Sequence, residues 1–350
     1  MLIISSPRCE ELLASRTLQL IVMQNRAKSG KNSPKNLDAE LDITAGGGLN
    51  LWLNEGFTWL VYGVAICTAL TLFWLSWVIL QQAFPAIQQF GLGFLWGSEW
   101  NIGELKFGAL PFIYGTLVSS AIALLIAVPV GVSVALVTSE DFIPNWVRSP
   151  IAFVVELIAA IPSVIIGLWG IFVLIPFLLP LQQFLFDRFS FIPLFSTAPS
   201  GPGLLTSGIV LAIMIVPTIA AISRDVLLVV PKDLRSASMA LGSTRWETIF
   251  RVLLPSGASG ILGASTLALG RALGETMAVA MVIGNSPQIN PSLLDLSSTI
   301  PSVLATQFAE ALDPLHIGAL MYLSLILFAI TLLVNVVAVL LVKVLGHQKA

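Results

Sequence analysis

The sequence predicts an all-α integral membrane protein of about six transmembrane helices, with both termini on the cytoplasmic side. Three observations carry that prediction. Charged residues make up 10% of the 350 positions and hydrophobic residues 56%, whereas a soluble domain carries about 25% charged residues. The apolar residues run in stretches of roughly 20 or more, the length that crosses a hydrocarbon core of ~30 Å at 1.5 Å rise per residue. Lysine and arginine collect on alternate sides of those stretches, as the positive-inside rule requires.

The polar leader comes first. Residues 1–56 are irregular, and the segment from Lys28 to Asn36 is rich in Lys, Asn, Ser and Gly. No core can form from that composition, so a disordered cytoplasmic tail is expected. It does not read as a secretory signal, because Arg16 and Gln19 interrupt the run from Leu12 to Met23 and no small-residue cleavage site follows. Met23 is a second candidate start, which would place residues 1–22 outside the native chain.

A transmembrane domain over residues 57–345 follows, built from six apolar segments. They are Thr58 to Leu80, Gly108 to Thr138, Val147 to Pro180, Gly203 to Val230, Gly257 to Gly284 and His316 to Leu345. Internal prolines (Pro129, Pro162, Pro176, Pro217) do not exclude these assignments, since neighbouring helices and Ser/Thr side chains can satisfy the freed carbonyls. With the amino terminus inside, fourteen Lys and Arg fall on the cytoplasmic side. The opposite side keeps two, Lys106 and Arg188. Residues 346–350 form a short cytoplasmic end. The loops from Pro85 to Phe107 and from Leu181 to Pro202 are rich in aromatic residues, which read as interfacial packing anchors.

Several function classes drop out. The net charge of −2 gives no basic field for nucleic acid, and the two cysteines, Cys9 and Cys67, form no CxxC pair. No phosphate-binding G-x-x-x-x-G-K-[ST] loop occurs, and His316 and His347 are isolated, so neither nucleotide hydrolysis by that route nor a metal centre is expected. His316, after Asp313-Pro314, reads as a capping or surface residue. A self-contained enzyme is a poor reading.

Two places carry chemistry. The segment 231–256 places the small residues Ser236, Ala237, Ser238 and Ala240 before Gly242, then Trp246, Ile249, Phe250 and Leu253 at helical spacing. That pattern suggests two short helices joined near Gly242, either docking a partner's groove or resting on lipid. In the fifth segment Arg271 and Glu275 stand four apart, hence on one helix face, and a charge at a helix centre costs at least ~2.5–3.5 kcal/mol. One reading is a neutralised pair that locks packing along a glycine-rich helix (Gly257, Gly260, Gly263, Gly270, Gly274). The other is an anion path, because guanidinium matches phosphate oxygens in a bidentate fork. Glu156, in the third segment, either partners a nearby backbone group or arginine or lines the same path.

Resemblance narrows the choice. The spacing from Ala237 to Gly242 and on to Leu254-Pro255 is similar to the "EAA" loop of ABC-importer permeases, with Ser236 in place of the family's Glu. The run Gly270-Arg271-Ala272-Leu273-Gly274-Glu275-Thr276 resembles the signature of phosphate-uptake permeases of the C type. So do Phe308-Ala309-Glu310-Ala311, Asp313-Pro314-Leu315-His316, and Glu156 with Ile161-Pro162-Ser163. The resemblance spans roughly residues 56–345 and implies the type I, MetI-like importer fold in the inner membrane. It also implies that Arg271, Glu275 and, less directly, Glu156 line a substrate path, and that Ser236, Ala237, Gly242, Trp246, Leu254 and Pro255 couple to an ATPase. The implied partners are a second, A-type permease, a dimer of ATP-binding subunits, an extracytoplasmic phosphate-binding protein and membrane lipid. ATP and Mg would be used by the ATPase, with no cofactor bound by this chain. Other readings are a permease for sulfate or molybdate, a stand-alone channel or ion-coupled transporter, and a membrane scaffold.

Overall fold

The computed structural model describes residues 48–140 and 144–347. Residues 1–47, with Met23 and most of the tail expected to be disordered, lie outside the described residues, as do 141–143 and 348–350; residues 48–56, expected within that tail, are helical and open α1. Secondary structure is almost entirely helical. The helices are α1 Gly48–Phe90, α2 Leu110–Ser139, α3 Asn145–Ala159, α4 Ser163–Trp169 and α5 Ile175–Phe189. They continue with α6 Leu204–Val229, α7 Lys232–Ala240, α8 Arg245–Thr248, α9 Leu254–Gly274, α10 Met277–Val282, α11 Ile300–Gln307 and α12 Pro314–His347. A two-residue ribbon, β1 Trp100–Asn101 and β2 Lys106–Phe107, pairs antiparallel between α1 and α2.

Among the described residues six spans are long and apolar enough to cross a membrane: 55–95, 110–139, 163–189, 204–229, 245–274 and 314–342. Two sequence expectations shift. The third span begins at Ser163, not Val147, because Pro162 sits in extended backbone and ends the preceding turn. Residues 145–159 form the separate short helix α3, and the span then runs on to Phe189 through residues expected to be loop. The fifth span runs from Arg245 to Gly274 rather than from Gly257 to Gly284. Two of the spans contain a π turn, Gly170–Leu174 and Ile249–Leu253, and a proline stands two residues beyond each, Pro176 and Pro255. A proline ring blocks the hydrogen bond to the carbonyl four residues back, and a widened turn absorbs the mismatch.

The chain divides into two units, residues 1–72 and 73–350. In the first, the described stretch of α1 presents Phe57, Trp59, Tyr62 and Leu70 as exposed side chains, the composition of a lipid-facing helix. The second is built on α2 and α6, which run parallel. Their contact is made by reciprocal glycines: Gly208 of α6 lies against Ile122 of α2, and Gly131 of α2 lies against Ile219 of α6. A Cβ at either position would sit 2.5–2.8 Å from the facing isoleucine, so the close approach depends on the missing side chain. α9 packs antiparallel on α6 in the same way, with Gly257 and Gly260 against Leu227 and Val226.

Loop 283–299 folds back over the start of α6. Leu204 and Leu205 donate their otherwise orphaned N–H groups to the Asp295 and Leu293 carbonyls at 3.2 and 2.8 Å. The start of α11 is tied to α2, where Ile300 N donates to Thr116 Oγ1 at 2.9 Å. His316 is not a surface residue: it is 3% exposed, with its ring stacked 5.3 Å from Phe107 and Nε2 3.4 Å from Gln307 Oε1. The cap at that helix start comes from Asp313, whose Oδ1 accepts from Leu315 N at 2.7 Å.

These contacts predict opposite effects for two glycine substitutions in the detergent-purified chain. A Cβ at Gly115 would meet the Ser298 carbonyl oxygen, whereas one at Gly263 would meet nothing within 4 Å. Gly115→Ala should destabilise by about 1–3 kcal/mol, while Gly263→Ala should stabilise by about 0.5–1 kcal/mol. Thermal unfolding of the two variants against wild type measures both signs.

Candidate functional site

Arg271 stands in the last turn of α9, and the helix ends three residues later. Glu275 is the cap residue, with ψ of 125°, so it leaves the helix axis instead of continuing the face that Arg271 occupies. The four-residue spacing therefore does not make a pair. Among the described residues no ion pair joins them. The Arg271 guanidinium is exposed and donates from Nη1 to Thr218 Oγ1 at 3.3 Å.

That hydrogen bond fixes the depth of the charge. Thr218 is fourteen residues past the start of α6 and eleven before its end, about 21 Å and 16 Å along the helix. Arg271 thus lies at the middle of a spanning helix although it ends its own. Around it Gly270 and Gly274 have no atom within 4 Å of a would-be Cβ, so the guanidinium borders open space along α9.

The break at Gly274 and Glu275 is the second feature at this depth. After it the chain takes a short turn, α10, which packs through Ala278, Met281 and Val282 onto Gly167 and Gly170 of the third span. Non-helical backbone at membrane depth persists only where protein buries it or where it lines a water-filled cavity. A cavity of about 420 Å³ adjoins the break, lined by Gly274, Thr276, Pro301, Phe308, Ser324 and apolar neighbours.

Glu156 sits elsewhere than expected. It belongs to α3, outside the six spans, and is exposed. It lines a small cleft of about 30 Å³ with Thr138, Ala221 and Arg224. Ala221 is one turn beyond Thr218 on α6, so Glu156 and Arg271 flank the same stretch of that helix. Arg224, whose Nε is buried with no hydrogen-bond partner, is the residue that sequence reasoning missed here. In the sequence it is one of the fourteen cytoplasmic Lys and Arg and carries no other signal.

Segment 231–256 forms two short helices joined at Gly242. The end of α7 is closed by paired hydrogen bonds, Gly242 N to Met239 O at 3.0 Å and Ser243 N to Ser238 O at 3.3 Å. This closure needs a residue with positive φ at Gly242, which has φ +88°. α8 starts with a capping box in which Thr244 Oγ1 accepts from Glu247 N and Glu247 Oε2 accepts from Thr244 N. The apolar stripe divides in two. Ile249 and Leu253 are 3% and 1% exposed and pack with Ala135, Leu227 and Val230. Trp246 and Phe250, both 62% exposed, stack on one another at 6.2 Å. Met239 and Leu241 are exposed beside the turn, while Ser236 and Ala237 lie on α7, and Leu254 and Pro255 open α9.

Residues 127–348 match a model of the binding-protein-dependent transport system inner membrane component family. The chain is similar to the phosphate transport system permease protein PstC of Xylella fastidiosa, 46% identical over 258 residues, which are 72% of this chain and 79% of that protein. It is 46% identical over 275 residues to the PstC of Mesorhizobium japonicum, covering 77% and 82% of the two chains. With a probable PstC of the archaeon Methanocaldococcus jannaschii it shares 36% over 265 residues, 74% and 84% of the two chains. Its fold is similar to that of a solved bacterial alginate ABC transporter bound to an alginate-loaded periplasmic protein. There the TM-score is 0.52 at 16% identity, over 84% of this chain and 98% of the other. The chain belongs to the family of binding-protein-dependent transport system inner membrane components, and is a multi-pass protein of the inner membrane.

Proposed function

We propose that the chain is a C-type permease subunit of an ATP-driven importer, moving inorganic phosphate across the inner membrane by alternating access. The observation that carries this reading is the juxtaposition at the end of α9. An exposed guanidinium at the mid-depth of α6 stands beside a helix break and a cavity. A cation at the mid-depth of an apolar span is costly and usually faces a bundle interior or an aqueous route. A broken helix at the same depth marks such a route in membrane carriers. The anion chemistry fits, since guanidinium offers phosphate two parallel hydrogen bonds. Glu275, at the break, would oppose tight retention of the anion, and Glu156 with Arg224 would stand on the cytoplasmic side of the same path. The 36–46% identity to phosphate permeases favours phosphate over sulfate or molybdate.

The excess of Lys and Arg on alternate loops supports cytoplasmic termini and a cytoplasmic coupling segment at 231–256. Its outward Trp246 and Phe250, presented over the rigid Gly242 turn, suit a groove on an ATP-binding subunit. In this reading ATP and Mg are used by that subunit, present as a dimer, and this chain binds no cofactor. A second, A-type permease would complete the path along the open face of α9 at Gly263, Gly270 and Gly274, with lipid around the remaining spans. An extracytoplasmic phosphate-binding protein would deliver the solute.

Two variants test the reading. Arg271→Gln should lower phosphate uptake by about thirtyfold or more while the complex still assembles; wild-type uptake would remove Arg271 from the path. Gly242→Glu should strip the ATP-binding subunit from the purified complex, since positive φ and a bulky charge both oppose docking. Co-purification in normal yield would place the docking site elsewhere.

A further inference from the structure

α7 is a nine-residue helix with one buried side chain, Ser238, so apolar packing alone holds it weakly. Polar contacts fix it instead. Ser238 Oγ and Thr248 Oγ1 meet at 3.0 Å and tie α7 to α8. From the middle of α7, Arg235 Nη2 donates to the Leu227 carbonyl in the last turn of α6 at 3.0 Å. The same nitrogen lies 2.7 Å from Glu140 Oε1, with both side chains less than one-fifth exposed. Glu140 caps the end of α2.

The electrostatics explain why this cation is needed. α2 and α6 are parallel, so their carboxyl ends, each with partial negative charge, come together on one face. Glu140 adds a full negative charge at that junction, where a carboxylate alone is unfavourable. Arg235 sets its single positive charge against Glu140 and donates to a terminal carbonyl of α6. Arg148 plays a related part from α3, donating to the Thr138 carbonyl near the end of α2. A cavity of about 220 Å³ opens beside the pair, lined also by Met239, Arg245 and Thr248.

We infer that Arg235 and Glu140 are positioning residues that fix the pose of the coupling helix α7 on the ends of α2 and α6, so that force applied to α7 moves both helices together. This rests on the reading of 231–256 as the ATPase-coupling segment. α7 is joined covalently to α6 through Pro231, and α8 to α9 through the π turn at Ile249–Leu253. α2 has no such covalent link, and the ion pair ties it to α7 non-covalently, beside the packing of Ala135 on Ile249 and Leu253.

The test uses the complete complex in liposomes, with inorganic phosphate as solute and charge reversal as the perturbation. Simple truncation of Arg235 is a poorer choice, because Arg245 lines the same cavity and can reach toward Glu140. Arg235→Glu and Glu140→Arg should each lower the phosphate moved per ATP hydrolysed by about tenfold, with the ATP-binding subunit co-purifying in normal yield. The double variant restores the pair but not the Leu227 hydrogen bond, and should return to within about threefold of wild type. A single variant with the wild-type ratio, or a double variant no better than the singles, overturns the inference. Should a reversed-charge chain fail to accumulate, Glu140→Gln gives the same contrast, with a lowered ratio expected and an unchanged ratio contradicting the pair. Hydrogen exchange of the α7 amides supplies a readout that needs no transported solute. The singles should exchange faster and the double should regain protection, and equal exchange in all four proteins would also overturn the inference. A wild-type complex that moves no phosphate sinks the proposed function instead, while the exchange measurement still decides the pair.

Discussion

A guanidinium held at the mid-depth of an apolar span is the constraint on which the account of this protein rests. Water cannot be withdrawn from that charge without a compensating partner, and Thr218 supplies only a neutral hydroxyl at 3.3 Å. Glycines on either side keep bulk away from it, and the helix that carries it stops one turn later. Each feature alone has a plain packing explanation. Together they build a polar, roomy place at a depth where lipid would penalise all three.

The rest of the molecule serves that place by being stiff where it must not yield. α2 and α6 approach through facing glycines and isoleucines, so the pair has little freedom to slide without collision. α9 leans on α6 at Gly257 and Gly260 and stays on it through Ala268 and Ala272, while Gly263, Gly270 and Gly274 leave another face of α9 open. Loop 283–299 seals the start of α6 by accepting the hydrogen bonds that the helix cannot make internally. At the far end Arg235 and Arg148 do the corresponding work on terminal carbonyls. Both ends of the central helices are thus closed by side chains and loops, and the gap is left in the middle.

Much of this was legible in the sequence, for identifiable reasons. Runs of apolar residues near the length of a bilayer announce spans whatever their tertiary partners, and all six were found. The turn at Gly242 was legible because glycine, followed by Ser-Thr and a Glu three residues past Thr244, is a closing and opening signal in itself. What failed were judgements that depend on where a helix stops inside an apolar run. Pro162 was read as a tolerated kink and proves to be a true break, which moves Glu156 onto a separate helix. Gly274 is a closing signal of the same kind, but glycines at 257, 260, 263 and 270 recur along this helix without ending it, so Arg271 and Glu275 are expected on one face. His316 was misread because its partners, Phe107 and Gln307, are distant in sequence. Arg224 and Arg235 were counted only for topology, since their buried contacts arise from the parallel ends of α2 and α6, which no local pattern announces.

The central claim is that Arg271 stands in an aqueous route through the assembled importer. It is tested most directly by the reactivity of Thr218→Cys, beside the intact Arg271, in a chain whose two native cysteines have been replaced, toward a small, charged, membrane-impermeant thiol reagent. The account predicts rapid modification in at least one state of the ATP cycle, slowed by inorganic phosphate. A thiol that stays unreactive from both sides of the membrane in every state would contradict it.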